Sequence, residues 1–402
     1  MEIKEKMFKI ICFPLPASGH SNPFYPILSE LKKFHQDLHI IVYTTNKYKN
    51  NFENLGIECK LVNVDESEIS LDGVRSEIAG LKISQGLTKY ACDNLESLAK
   101  EIEKEDPDLI IYDGTTIYVR WCILFYQKCY EASAQNKPYK KSSFRPKKDL
   151  PPLICYSPMY VMDFKSYPNL YEMSLLFQFS KIFSFRLIWW ILKYVKEHYR
   201  LSLKYGFKLS NPFKKVTPER TPYTKFTIVT ILEEIQPKSH MMEKNYFKFV
   251  GASIDDSVNA SNYAAFRDNH LSELIESFEV KENKINILDE NAVHLIYVSL
   301  GTVFNDQLEL FKTIIKAFRM FDLESVTTKS KIKRENLRII VSTGATVYDQ
   351  FQTAIKSNQY VLPENIHLAK TAPQTEILKR ASLFITHNGM NSTSESIHYG
   401  GK

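Results

Sequence analysis

Short apolar segments alternate with helix-like segments from the N-terminus onward, and this alternation constrains the fold more than any other feature of the chain. The first such segment, FKIICFPLP at 8–16, has the length and composition of a buried strand. The helical pattern of 21–34, which Ser21 or Asn22 is expected to cap, follows it, and LHIIVYTT at 38–45 repeats the strand pattern. Strands joined by a helical crossover run parallel in one sheet. The sequence therefore predicts an α/β protein built on parallel sheets.

The alternation stops and restarts, which predicts two domains in tandem. Residues 1–250 are expected to form an N-terminal Rossmann-like domain with a helical, aromatic insert at about 161–215. A polar stretch follows, and 251–290 is interpreted as a linker region. The strand pattern resumes at VHLIYVSLGT, so 291–402 is predicted to be a second doubly wound Rossmann-like domain. Ligands of such sheets bind beyond the carboxyl ends of the strands, so a cleft between the two domains is the expected site.

Charge and cysteine usage exclude several classes of function. The formal net charge is only +6 over 402 residues, and the basic runs at 137–148 and 329–334 are typical of solvated loops, so no nucleic-acid partner is predicted. The six cysteines lack CxxC spacing, which argues against a metal site and favours reduced thiols in a cytoplasmic protein.

The N-terminus lacks the features of a signal peptide, which agrees with a cytoplasmic location. The most apolar window, SFRLIWWILKYV at 184–195, is too short to cross a bilayer and is interpreted as a buried or interfacial helix. Peripheral association with a membrane stays open.

Two polar residues follow buried strands at the same predicted edge of the first sheet. His20 lies before a helix, where the positive helix terminus disfavours imidazolium and leaves a neutral general base. Asp113 ends the strand in DLIIYDG, and a carboxylate there would orient the imidazole and stabilise its cation. The alternatives are a loop histidine without a role and an aspartate that only initiates the turn before Gly114.

A phosphate-binding turn is predicted in the segment LFITHNGMNSTSESIHYG. An apolar strand precedes His387 and Gly389, and a helix then begins near Asn391. Free amide groups and the dipole at a helix start make a site for a diphosphate. Ser392 and Glu395 also fit a capping box, which would give both a purely structural role.

Small residues follow two other strands of the second domain, in VSLGTVF at 298–304 and VSTG at 341–344. Their backbone N–H groups are positioned to face an anion. Neither segment matches GxGxxG, so a nicotinamide dinucleotide site is not predicted.

Together these segments resemble the UDP-glucosyl/glucuronosyltransferase family, whose members have the two-domain GT-B fold. APQTEILKRASLFITHNGMNSTSESIHYG at 372–400 matches the family in order and spacing. GHSNPFYPILSEL, VGASI and IYVSLGTVF extend the resemblance over most of the chain, whereas 161–225 matches only in character.

The resemblance implies an inverting, metal-independent transfer of a hexose from a UDP-sugar to a hydroxyl of a lipophilic small molecule or lipid, without a cofactor. His20 would deprotonate the acceptor with help from Asp113, and Gln374 would contact uracil. The family implies that the ribose and diphosphate contacts come from Glu395 and from Ser299, Gly301, Thr302, His387, Gly389, Asn391 and Ser392. Fixed donors at a helix terminus can carry the growing diphosphate charge without a cation.

Two features depart from the family pattern. Thr371 stands where the family has an aromatic residue that stacks on uracil. After SIHYG the family continues with a further strand and an Asp-Gln pair that contacts the sugar, so the donor domain is expected to be incomplete. The alternative functions are a non-catalytic protein that binds UDP or a UDP-sugar, and an epimerase or hydrolase that acts on the nucleotide sugar itself.

Overall fold

The computed structural model describes two compact units. The residues described are 7–35, 37–65, 67, 76–140, 142–159, 161, 185–207, 223–237, 239–280, 292–301, 307–320 and 334–400. The first unit lies within Met1–Ser70 and Glu77–Ser253, and the second is largely Ile254–Lys402. Each unit contains one parallel sheet with helices between its strands, which confirms the predicted α/β class.

The first unit is built on a seven-stranded parallel sheet. Its strands are β1 (Phe8–Phe13), β2 (Leu38–Thr44), β3 (Glu58–Leu61), β4 (Leu109–Asp113), β5 (Leu153–Ser157), β6 (Thr224–Val229) and β7 (Phe247–Phe249). They lie in the order β3-β2-β1-β4-β5-β6-β7. Cys12 of β1 is paired in register with Val42 on one side and Ile111 on the other, so β2 and β4 flank β1 directly.

The helices of the first unit cover both faces of its sheet. They are α1 (Ser18–Ser21), α2 (Phe24–Phe34), α3 (Asn46–Glu53), α4 (Ser76–Glu105), α5 (Ile117–Ala134) and α6 (Phe185–Tyr205). Ile11 and Phe13 of β1 lie in one buried apolar cluster, and Ile10 and Cys12 lie in a second. Because successive residues point to opposite faces, β1 is buried on both sides and has a continuous apolar sequence.

The helix predicted at 21–34 begins later than expected. Its first residue is Phe24, and Pro23 occupies the position before it without a side-chain cap. Ser21 ends the short helix α1 instead, and its hydroxyl donates a hydrogen bond to the carbonyl of Leu15. The expected capping by Ser21 or Asn22 was therefore wrong, because the loop before α2 forms a helical turn of its own.

All six cysteines are free thiols, and only Cys59 is not fully buried. Burial raises the pKa of Cys59 to about 11 and that of Cys92 to about 12. These thiols are therefore protonated at neutral pH and are poor nucleophiles.

The second unit is built on a four-stranded parallel sheet. Its strands are β8 (His294–Ser299), β9 (Leu337–Ser342), β10 (Ile366–Ala369) and β11 (Leu383–Thr386), in the order β10-β9-β8-β11. Its helices are α7 (Asp256–Ala264), α8 (Asn269–Glu276), α9 (Leu308–Arg319), α10 (Ala345–Lys356), α11 (Gln374–Leu378) and α12 (Met390–His398).

The segment predicted as a linker, 251–290, contains α7 and α8. Leu271 and Ile275 of α8 are fully buried in one apolar cluster with strand residues of the second sheet. Asp256 of α7 accepts a hydrogen bond from the Tyr399 hydroxyl at 2.7 Å. The linker interpretation was wrong for these helices, because a few apolar residues at helical spacing within a polar stretch suffice to dock a helix. Residues 281–290 lie outside the described residues.

Within the helical insert predicted at 161–215, the structure describes mainly α6, and this segment is helical as its sequence pattern indicates. Residues 162–184 and 208–215 lie outside the described residues. No helix within the described ranges is long and apolar enough to cross a membrane.

Candidate active site

His20 and Asp113 meet at the carboxyl edge of the first sheet. Asp113 is the last residue of β4, and His20 lies in α1, which follows β1. Since β1 and β4 are parallel neighbours, their carboxyl ends lie side by side. The Nδ1 atom of His20 is 2.7 Å from Oδ2 of Asp113, a hydrogen-bond distance.

Thr115 holds the second carboxylate oxygen of Asp113. Both its backbone N–H, at 2.8 Å, and its hydroxyl, at 2.5 Å, donate to Oδ1. The same threonine hydroxyl is 3.5 Å from Nδ1 of His20. Sequence reasoning missed Thr115, although its place two residues after the aspartate is typical of an Asx turn and would have indicated the contact.

This arrangement suits a general base. The Asp113 side chain is fully buried and that of His20 is 14% exposed. A buried carboxylate facing Nδ1 favours the tautomer with a proton on Nδ1, which leaves the lone pair of Nε2 to accept a proton. The carboxylate also stabilises the imidazolium that results. Tyr156 fixes the backbone here, because its hydroxyl donates to the His20 carbonyl at 3.3 Å.

In the second unit, His387 lies against two glycines after the carboxyl ends of β8 and β11. Ser299 and Thr386, the last residues of these strands, are paired in register, which brings the segments that follow them together. A Cβ atom built on Gly301 would overlap Cε1 of His387, and one built on Gly389 would lie 2.7 Å from Nε2. Only glycine at both positions leaves space for the imidazole. Burial lowers the pKa of His387, so its ring is neutral at pH 7.

Gln374 joins two residues of α12. Its Nε2 atom donates to Oγ of Ser392 at 3.1 Å and to Oε2 of Glu395 at 2.6 Å. The helix begins at Met390 after Gly389, with no side chain capping it. Ser392 and Glu395 therefore do not form the capping box that their spacing allowed. Burial raises the pKa of Glu395, although the hydrogen bond from Gln374 opposes this shift.

Tyr297 lies in the apolar core behind this site, and the sequence did not indicate its electrostatic link to Glu395. It is a buried residue of β8, and burial raises the pKa of its hydroxyl to about 12, while hydrogen bonds with Ser299 and Ser342 lower it. The negative charge of Glu395 adds to the rise. An aromatic residue in a buried strand is ordinarily part of the core, so no sequence signal set Tyr297 apart.

The remaining predicted residues are placed as follows. Ser299 is buried at the end of β8, and Asn391 lies in the first turn of α12. Thr371 is exposed between β10 and α11. Thr302 lies outside the described residues. The described residues thus bring Gly301, Gln374, His387, Gly389, Ser392 and Glu395 to the carboxyl edge of the second sheet.

Two bacterial proteins with glycosyltransferase names are similar to this chain along most of its length, and a third is similar over about a third of it. YojK of Bacillus subtilis, named an uncharacterised UDP-glucosyltransferase, is 24% identical over 413 residues, which cover 98% of this chain and 78% of the relative. The NDP-glycosyltransferase YjiC of the same organism is 24% identical over 408 residues, with the same coverage. YjiC of Bacillus licheniformis is 34% identical over 120 residues, which cover 30% of this chain and 25% of the relative. No family model matches the chain.

Solved glycosyltransferase structures share the fold. The glycosyltransferase of kitacinnamycin matches 98% of this chain and 79% of its own with a TM-score of 0.60 and 16% identity. The Arabidopsis thaliana protein UGT89C1, solved with UDP, matches 98% of this chain and 78% of its own with a TM-score of 0.54 and 13% identity. These likenesses confirm the predicted GT-B type of fold.

Proposed function

We propose that this chain, a relative of the UDP-glycosyltransferases with a GT-B type of fold, transfers a sugar from a UDP-sugar to a hydroxyl group. Relatives named as UDP-glucosyltransferase and NDP-glycosyltransferase align with 98% of it. The finer proposals are that the sugar is a hexose, that the anomeric configuration is inverted, and that the acceptor is a lipophilic small molecule or lipid.

The hydrogen bond between His20 and Asp113 carries the proposal. A hydroxyl group is a weak nucleophile at neutral pH, so transfer to it needs a base that removes its proton as the new bond forms. The 2.7 Å contact between Nδ1 and a fully buried carboxylate turns Nε2 into such a base and stabilises the resulting imidazolium. Binding of a nucleotide alone would require neither residue.

In the proposed reaction, the acceptor oxygen attacks the anomeric carbon while Nε2 of His20 takes its proton. The bond from the anomeric carbon to the UDP oxygen breaks on the opposite face, and its electrons go to the diphosphate. A single displacement of this kind inverts the anomeric configuration. The proton ends on His20, whose charge Asp113 balances until the proton is released to solvent.

The donor site is proposed at the carboxyl edge of the second sheet. The N-terminus of α12 supplies backbone N–H groups and a partial positive charge for the leaving diphosphate, and Ser392 and His387 add polar contacts. Glu395 is proposed to accept hydrogen bonds from the ribose hydroxyls, and Gln374 to contact uracil. In this role both would exchange part of their mutual hydrogen bond for contacts with the nucleoside.

The acceptor is proposed to be lipophilic because the region between β5 and β6 is rich in apolar and aromatic residues. We further propose that the reaction uses neither a metal nor a cofactor, since fixed donors can carry the charge of a leaving diphosphate.

The experiment combines UDP binding by calorimetry with transfer of labelled sugar to a panel of hydroxylated acceptors. His20→Ala should leave UDP binding intact and lower transfer on the order of 10²- to 10⁴-fold. His387→Ala should weaken UDP binding. His35→Ala, which changes an exposed histidine of the first unit, is the matched control and should alter neither quantity.

Three outcomes would contradict the proposal. Transfer at the wild-type rate by His20→Ala would exclude the proposed base. UDP binding with no product from any acceptor would favour the non-catalytic alternative, and consumption of the donor without acceptor would favour an epimerase or hydrolase.

A further inference from the structure

The helix α6 exposes an apolar stripe along its length. The stripe consists of Ile188, Trp189, Leu192, Tyr199 and Leu203, which are exposed in spite of their size. Leu192 and Leu203 are 59% and 65% exposed. Residues 188, 192, 199 and 203 recur at the spacing of one helical face. An apolar surface of this kind on a helix usually marks a site of interaction.

The opposite face of α6 fixes the stripe in its outward orientation. Leu201 is fully buried in the main apolar cluster of the first unit. The Tyr205 hydroxyl and the Lys204 ammonium both donate to the carbonyl of Cys92 in α4, at 3.3 and 2.6 Å. The Cys92 thiol donates in turn to the carbonyl of Glu197 at 3.3 Å. The stripe is therefore presented by a docked helix.

Positive charge borders the stripe on one side. Lys193 and Arg200 lie on this side, Lys196 lies at the edge of the stripe next to them, and Glu197 is the single acidic residue of the α6 sequence. Arg200 is offset by ion pairs with Asp93 and Glu197. The Lys193 ammonium lies 5.2 Å from the ring centre of Trp189 and 4.7 Å from that of Trp190. The border has a net positive charge beside an apolar surface.

The position of Lys196 decides what kind of surface the stripe fits. At about 100° per residue, this lysine falls between Leu203 and Trp189 on the helical wheel. The core of a protein–protein interface is depleted of charge, so a lysine within the apolar surface disfavours a protein partner. At a bilayer surface, a lysine extends its ammonium to the headgroups while its methylene groups stay in the apolar layer.

We propose that α6 docks the first unit on a lipid bilayer that carries anionic headgroups. The apolar stripe enters the boundary between headgroups and acyl chains, where tryptophan and tyrosine are favoured. The basic border contacts the headgroup phosphates. α6 belongs to the first unit and the proposed donor residues to the second, so the inference does not depend on the proposed sugar transfer.

The test is cosedimentation of the purified chain with phosphatidylcholine vesicles, with and without phosphatidylglycerol. We expect binding to the anionic vesicles, a weakening of binding by salt, and a blue shift of tryptophan fluorescence as Trp189 enters the bilayer. Leu192→Ser should raise the vesicle dissociation constant about tenfold. The matched control is Leu61→Ser, which changes a 50% exposed leucine of β3 and should leave binding unchanged.

A second pair of variants tests the charge. Lys193→Gln combined with Lys196→Gln should weaken binding to anionic vesicles about tenfold or more. Lys47→Gln is the control, because Lys47 is also a surface lysine and lies 5.5 Å from the ring centre of Tyr48. Circular dichroism verifies that each variant is folded.

Three results would overturn the proposal. The first is that the folded wild-type chain binds neither kind of vesicle. The second is that Leu192→Ser leaves vesicle binding unchanged. The third is that the chain self-associates without binding vesicles and that Leu192→Ser dissociates it. The last result would assign the stripe to a contact between copies of the chain.

Discussion

A methyl group added at Gly301 should displace the His387 ring. Two effects of Gly301→Ala should each lower the free energy of unfolding. Gly301 has a φ of +70°, and alanine in this left-handed region costs about 1–2 kcal/mol. The new Cβ would also overlap Cε1 of His387, and overpacking of this kind costs about 1–3 kcal/mol. The sum for Gly301→Ala is about 2–5 kcal/mol, from the same two sources.

Two other glycines of the second unit separate these costs. Gly400 has a φ of +72°, and a Cβ added there would meet no atom within 4 Å, so Gly400→Ala should show only the conformational cost. Gly389 has a φ of −62° but a Cβ there would lie 2.7 Å from Nε2 of His387, so Gly389→Ala should show only the steric cost. Gly301→Ala should therefore be the most destabilising of the three.

The assay is amide hydrogen exchange in β8 and β11, which reports the free energy of local opening in the second unit. Combining Gly301→Ala with His387→Ala should remove the steric cost, giving a coupling energy of about 1–3 kcal/mol. Equal destabilisation by Gly301→Ala and Gly400→Ala, or a coupling energy near zero, would refute the argument that His387 is held by contact with glycine.

Three further predictions concern the two candidate site regions. Asp113→Asn should lower the transfer rate on the order of 10²- to 10⁴-fold with unchanged UDP binding in calorimetry; a rate within tenfold of wild type would count against the role of the carboxylate. Thr115→Val removes one hydrogen bond to Asp113 and should lower the transfer rate about tenfold and shift its pH profile, both restored by Thr115→Ser; an unchanged profile would indicate a structural role only. Burial raises the pKa of Glu395 in the folded state above its value in the unfolded chain. The contribution of Glu395 to the free energy of unfolding is therefore favourable only in acid, and it is lost as the pH rises through the folded-state pKa and the side chain ionises. Glu395→Gln should therefore raise the melting temperature at neutral pH but not in acid, and weaken UDP binding; the same gain at every pH would contradict this.

The strands were predictable because strands buried on both faces have continuous apolar sequences. β1, β4 and β8 follow this rule, and their burial patterns show why. The meeting of His20 with Asp113 was predictable for a related reason. Parallel neighbours end at the same edge of a sheet, so residues distant in sequence come together there.

Contacts between distant side chains were not predictable in the same way. Ser392 and Glu395 have the spacing of a capping box, yet both bind Gln374, which lies 18 and 21 residues away in sequence. Local spacing gives no information on a competing partner brought close by the fold. Tyr297 was missed for the opposite reason, since its burial in β8 made it indistinguishable from an ordinary core residue.

The boundaries of helices were the weakest predictions. α7 and α8 were assigned to a linker because their polar residues outnumber the apolar ones that dock them. In α8, Leu271 and Ile275 are buried, while Asp268 caps the helix by accepting a hydrogen bond from the Leu271 amide. Two apolar residues one helical turn apart decide the packing, and a window average of polarity does not detect them.

The strand order of the first sheet suits synthesis from the N-terminus to the C-terminus. β2 and β3 extend it from β1 toward one edge, and β4 to β7 extend it toward the other, so each new strand lies beside one already made. A nascent chain leaving the ribosome can therefore add its strands one at a time to an existing edge. His20 and Asp113 lie on segments translated well before the second unit. The proposed catalytic pair can thus assemble on the ribosome while the nucleotide-binding turn has yet to be translated.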